Sequence, residues 1–122
     1  MMRPAAILAL LALALPAFAG QAAAADGAAI FQTNCAVCHS VEAGTNKLGP
    51  SLFGIVGRKS ATVDSFSYSP AMTKADLTWD AATLDKYLTN PQALVPGTKM
   101  ILAGIKSADD RKALIDYLAA QN

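Results

Sequence analysis

The chain has 122 residues, ten of them Lys or Arg against nine Asp or Glu, for a formal net charge of +1. That length fits one domain, and that balance excludes the broad basic face a nucleic-acid binder needs. Two cysteines and one histidine are too few side chains for a closed zinc site of the Cys/His type.

The first predicted element does not belong to the fold. After Met1-Met2-Arg3 the run from Pro4 to Ala25, PAAILALLALALPAFAGQAAAA, carries no charge. Its apolar part, Ala5 to Leu15, is broken by Pro16 and followed by the small-x-small triplet Ala17-Phe18-Ala19. A basic start, a short apolar stretch and a small-residue cleavage site make a secretory signal, expected over residues 1–19, with the functional domain over 20–122. A second acceptable cut follows Ala25. The competing reading is a retained membrane anchor, since 22 uncharged residues approach a spanning length, but Pro16, Gly20 and Gln21 interrupt them. Cleavage leaves about 97 to 103 residues, a chain short enough to want a staple, a metal or a cofactor. Export places both cysteines in an oxidising compartment. It also removes Arg3, so nine basic residues face nine acidic ones.

The remainder reads as helices joined by long loops, with no convincing strand. Asp26 is placed to cap a helix running to about Cys38, with Ala29, Ile30 and Phe31 as its apolar positions. Residues 40–67 are rich in Gly, Ser, Thr and Asn, and so long an irregular stretch suggests a chain wrapped around something that is not protein. Ser69-Pro70 opens a short helix to about Lys74. Asp80 caps another, AATLDKYLTN, which Asn90-Pro91 ends. PQALVPGTKMILAGIK is again irregular. Ser107, with Asp110 three residues on, starts a last helix whose apolar stripe holds Leu114, Ile115 and Leu118.

The chemistry lies in CAVCHS, Cys35 to Ser40. A catalytic dithiol of this spacing normally opens a helix in a βαβ setting, and here no strand precedes it. A disulfide between Cys35 and Cys38 would close a tiny loop and stabilise little. Zinc would need more ligands than Cys35, Cys38 and His39 supply, and the adjacent residues 38 and 39 cannot easily share one tetrahedral ion. Haem fits best: cysteines three apart on a helical turn can form two thioethers, and His39 then points at the iron. With no second histidine, the sixth iron position falls to Met72, to Met100 or to nothing. Met72 sits in the short helix after Pro70, where a packing role is the simpler one. Met100 sits in PGTKM, a loop that Pro96-Gly97 can aim across a flat cofactor.

From Gly27 to about Leu118 the chain resembles the class I soluble cytochrome c family, of mitochondrial and bacterial type. The likeness rests on CAVCHS, LGPSLFGIVGRKSA, FSYSPAM, LTW, LDKYLTNPQALVPGTKM and RKALIDYL, in that order. It implies an all-α single domain around one haem c, its terminal helices in contact through Gly27, Phe31, Leu114 and Tyr117. By position, Cys35 and Cys38 match the thioether cysteines, His39 the proximal ligand and Met100 the distal ligand. Pro50 matches the proline whose carbonyl accepts the histidine's other N–H. Arg58, Tyr68 and Trp79 match the groups that hydrogen-bond the propionates, and Tyr87 and Thr98 those flanking the methionine.

The resemblance further implies a monomeric periplasmic electron carrier that is not an enzyme and does not stay in the membrane. Its partners would be a cytochrome bc-type donor and a terminal oxidase, reductase or photosynthetic reaction centre as acceptor. A small haem enzyme, of peroxidase or nitrite reductase type, or a gas sensor is the alternative, and each needs an open or labile sixth position. Lysines expected around the haem edge are partly missing: Asn34, Gln92, Ala93 and Ser107 stand at such places, while Lys47, Lys99 and Lys106 remain.

Overall fold

In the computed structural model the described residues are Ala14 and 25–122, so the expected signal over 1–19 lies outside them apart from Ala14. Each main helix begins where a polar side chain can accept the unpaired N–H groups of a first turn. Asp26 accepts from Ala28 and Ala29 to open α1 (Gly27–Asn34). Ser69 accepts from Met72 to open α2 (Pro70–Ala75), and Asp80 from Thr83 to open α3 (Ala81–Thr89). Asn90 accepts from Ala93 to open the short α4 (Pro91–Leu94), and Ser107 from Asp110 to open α5 (Ala108–Ala119).

Among the described residues no strand forms; one isolated antiparallel bridge pairs Lys59 with Thr78. No described helix is long and apolar enough to cross a membrane. The fold is all-α, as expected, but two boundaries differ. The first helix ends at Asn34 rather than Cys38, because Cys35 leaves helical geometry (φ −123°, ψ −34°) and the chain tightens. The stretch after Asn90 is not wholly irregular: Asn90 closes α3 with its backbone and opens α4 with its side chain.

The core sits where α1, α3 and α5 meet. Phe31 of α1 faces Leu114, Ile115 and Leu118 of α5, with Leu84 and Leu88 of α3 completing the cluster. Burying side chains of this size stabilises the fold by about 1.5–3 kcal/mol each. A Cβ on Gly27 would run into the Ala113 carbonyl and stand 2.7 Å from the Tyr117 Cβ, so only glycine lets α1 and α5 approach this closely. Phe31 and Tyr117 then pack with ring centroids 5.6 Å apart. Arg111 ties α5 to α3 through Asp85 (2.7 Å) and donates to the carbonyls of Ile105 and Lys106. The helices thus make a frame, and the loops 35–69 and 95–106 carry the candidate site.

Candidate functional site

The CAVCHS segment forms a tight turn off the end of α1. The Cys35 carbonyl accepts from both Cys38 N–H (3.0 Å) and His39 N–H (2.8 Å), so the two cysteines and the histidine share one turn. Cys35 is buried, Cys38 half-buried, and the two are not joined to each other. Burial, reinforced by Cys38, pushes the Cys35 thiol up to about 11. A thiol held that high is a poor thiolate nucleophile, which argues against redox exchange as its task.

His39 is held by its far side. Its Nδ1 lies 2.7 Å from the Pro50 carbonyl, an acceptor only, so Nδ1 carries the proton and Nε2 keeps its lone pair. Burial moves the ring's pKa down while the Pro50 bond opposes that, and the neutral form prevails at neutral pH. Gly49 packs flat against the ring: a Cβ there would collide with Cε1 and stand 2.7 Å from Nδ1.

The loop behind His39 is welded by its own polar side chains. Gly49 N–H donates to the Cys38 carbonyl at 2.7 Å and Leu52 N–H to the Ser40 carbonyl at 2.9 Å. Ser40 and Ser51 turn their hydroxyls onto the carbonyls of Thr45 and Glu42, and Asn46 accepts from Ser51 N–H at 2.9 Å. The Lys47 ammonium reaches the Ala36 carbonyl at 2.8 Å, inside the CAVCHS turn.

Arg58, Tyr68 and Trp79 come together at one end. Arg58 donates to the carbonyls of Ser51 and Phe53, both at 3.0 Å, and its own carbonyl accepts from Trp79 N–H at 2.8 Å. Burial lowers the guanidinium's pKa, and nearby Tyr68 raises it. The Tyr68 hydroxyl accepts from Val63 N–H at 3.1 Å, which leaves its proton free to donate. Arg58 Nε is buried without a partner. A buried charged N–H of this kind calls for an anionic acceptor, and a haem propionate carboxylate is one, so the residues present fit the group.

The opposite loop is held from α3. Trp79 packs on Tyr87 with centroids 4.9 Å apart, and Tyr87 pairs its buried hydroxyl with Thr98 Oγ1 at 2.8 Å. Thr98 Oγ1 also accepts from Met100 N–H at 3.3 Å, so one chain of bonds runs from the core to Met100. Met100 is half-buried against the core; Met72 is too, on α2. Among the described residues no hydrogen bond joins the 39–58 loop to the 95–104 loop, and no group of three or more His, Cys, Asp or Glu side chains converges.

The sequence model of the cytochrome c family matches residues 24–122. The chain belongs to the cytochrome c family. It is 53% identical over 94 residues to a cytochrome c2 iso-2 of Magnetospirillum molischianum, covering 77% of this chain and 96% of that one. A cytochrome c of Gibberella zeae is 48% identical over 93 residues, covering 75% of this chain and 88% of that one. A cytochrome c type-1 of Ascaris suum is 46% identical over 93 residues, covering 76% and 83% respectively. Cytochromes c bind one covalent haem c, and Cys35 and Cys38 are the pair through which this chain holds it. Its function, at that level, is single-haem electron carriage.

Several residues of this cytochrome c site carry no signal readable in advance. Gly49 acts by having no side chain against His39. Gln92, noted in the sequence only as standing in place of a lysine, reaches the backbone of Gly97 and Thr98. Ser40, Ser51 and Asn46 belong to types that bond nearby backbone, but their partners emerge only with the loop's path.

Proposed function

We propose that this cytochrome c is an exported, monomeric carrier of the periplasm, with His39 and Met100 as the two axial ligands. Haem c supplies a one-electron couple between iron(III) and iron(II). The observation that carries the reading is the His39–Pro50 bond of 2.7 Å, which orients the imidazole and leaves Nε2 as a ligand atom. Met100 would bring a thioether, which favours iron(II) and raises the potential. Tyr87 and Thr98 hold that loop in place, with Tyr87 kept neutral because burial raises its pKa. Arg58, Tyr68 and Trp79 would hold the propionates, with the unpartnered Arg58 Nε among the available donors.

With His39 and Met100 both serving as iron ligands, no position would be left open for a substrate, and the protein would act as a carrier rather than an enzyme. It passes electrons from a cytochrome bc-type donor to a terminal oxidase, reductase or photosynthetic reaction centre. Residues 1–19 are the signal and 20–122 the cytochrome domain, cleavage falling after Ala19 or Ala25; the mass of the matured protein distinguishes the two.

The test is carbon monoxide added to the reduced holoprotein. The parent should bind it slowly, Met100→Ala rapidly and at a lowered potential, and Met72→Leu at the parental rate. Fast binding by the parent would overturn the carrier reading in favour of a small haem enzyme or gas sensor. Opening by Met72→Leu would overturn Met100 as the ligand.

A further inference from the structure

Gln92 lies in α4 with an exposed side chain, and its carboxamide is used at both ends. Nε2 donates to the Thr98 carbonyl at 2.9 Å, and Oε1 accepts from the Gly97 N–H at 3.2 Å. One planar group therefore grips two consecutive residues of a turn, which fixes the turn's orientation as well as its distance from α4. The turn has few other ties. Thr98 N–H bonds the Val95 carbonyl at 3.0 Å, and the Thr98 hydroxyl meets Tyr87 and Met100 N–H. Beyond Met100 the backbone of 101–104 makes no hydrogen bond among the described residues until Ile105 N–H reaches the Leu88 carbonyl at 2.8 Å.

We infer that Gln92 is a positioning residue for Met100: its carboxamide clamps the Gly97–Thr98 turn against α4 and so resists displacement of the methionine by an outside ligand. This rests on Met100 being the sixth iron ligand. The clamp lies on the surface, so its two bonds can be removed one at a time without opening a cavity. Glutamate at this position retains the acceptor for Gly97 N–H and loses the donor to Thr98. Lysine retains a donor and loses the acceptor, and alanine retains neither.

The experiment uses the matured, full-length oxidised holoprotein, imidazole as the incoming ligand, and amide hydrogen exchange at Gly97. Losing two neutral, partly solvated hydrogen bonds should speed imidazole binding to Gln92→Ala roughly tenfold. Gln92→Glu and Gln92→Lys should fall between Gln92→Ala and the parent. Gly97 exchange should rise in Gln92→Ala and Gln92→Lys and stay near parental in Gln92→Glu, with the thermal midpoint little changed throughout. A purely structural surface role would not separate glutamate from lysine in this way. Met100→Ala is the reference and should bind imidazole faster than any Gln92 variant. If Met100→Ala opens the site while Gln92→Ala binds at the parental rate, the clamp is wrong and the ligand assignment stands. If Met100→Ala itself changes nothing, the ligand assignment fails and the clamp with it.

Discussion

The two irregular loops of this cytochrome c are fastened in different ways. The loop that follows His39 is closed mostly by its own residues: Ser40, Asn46, Ser51 and Arg58 all bond backbone within or beside it. It is anchored outward as well, Gly54 N–H donating to the Gln121 carbonyl at 2.7 Å and Gly57 N–H to the Trp79 carbonyl at 2.8 Å. The loop that carries Met100 is held by side chains from outside it, Tyr87 and Gln92, acting through Thr98 and Gly97. Buried polar groups inside a self-satisfying network resist opening together, whereas a segment tied at a few points opens locally at modest cost. The histidine side should therefore be rigid and the methionine side the place where ligands exchange.

The largest effect should come from breaking the rigid side at Gly49. In Gly49→Ala the new methyl occupies the space of the His39 ring, so ring or backbone must shift and the Pro50 bond is strained or lost. Overpacking against a fixed group costs about 1–3 kcal/mol, and a lost buried bond adds about 1–3 kcal/mol. Little matured holoprotein should accumulate, and what forms should melt well below the parent. Parental yield and melting temperature would mean that the histidine loop yields easily and that the asymmetry is not real.

A smaller, local effect is expected on the methionine side. Thr98→Val leaves the buried Tyr87 hydroxyl and Met100 N–H without their partner, a penalty of about 1–3 kcal/mol. Adding Tyr87→Phe removes one of those orphans, so the double variant should be less destabilised than the sum of the singles. Urea unfolding measures the cycle. Imidazole binding should accelerate in Thr98→Val much more than the global loss of stability accounts for. Strict additivity would show that Tyr87 and Thr98 do not act as one chain.

Ser107→Ala supplies the opposite case, a loss in the frame rather than in a loop. It removes the acceptor for Asp110 N–H at the start of α5, worth about 1 kcal/mol and roughly 4–8 °C in a domain of this size. Imidazole binding should stay parental. If it rises in step with the lost stability, opening at Met100 is global unfolding rather than a local event.

What could be read in advance divides along the same line. The starts of α1, α2, α3 and α5 follow from Asp26, Ser69-Pro70, Asp80 and Ser107, because a cap bonds N–H groups only two or three residues away. The end of α1 was less legible, since nothing before Cys35 marks the change in its backbone. The start of α4 was hidden because Asn90-Pro91 reads as a stop, while Asn90 also accepts from Ala93. The haem motif is contiguous and legible by itself. Pro50 was reached only through resemblance, Gly49 not at all, and Gln92 only as a missing lysine and not for its bonds to Gly97 and Thr98, since these partners lie across loops whose paths the frame decides. Leu102 is half-buried against the core, whereas its neighbour Ile101 stands fully exposed.

That exposed side chain leads to the smallest predicted effect, on partner binding. Val37, between the two cysteines, is 80% exposed and Ile101, next to Met100, 100% exposed, so apolar surface is displayed beside both the CAVCHS turn and the Met100 loop. Lys99 and Lys106 are exposed too, while Lys47 is partly spent on the Ala36 carbonyl. Charge near a docking face speeds encounter and is screened by salt, whereas apolar contact is not weakened in that way. Beyond Arg3 the chain carries nine basic and nine acidic residues, so steering should be weak. Association with an acidic-faced redox partner should slow only a few-fold as ionic strength rises from about 10 mM to the physiological range, over which the screening length falls from about 30 to 8 Å. Ile101→Ala should weaken the complex by a similar few-fold factor at every salt concentration. Lys99→Ala should flatten the salt dependence and leave the high-salt affinity unchanged. A steep salt response in the parent, or an Ile101→Ala effect that disappears at low salt, would mean that charge and not apolar surface governs docking.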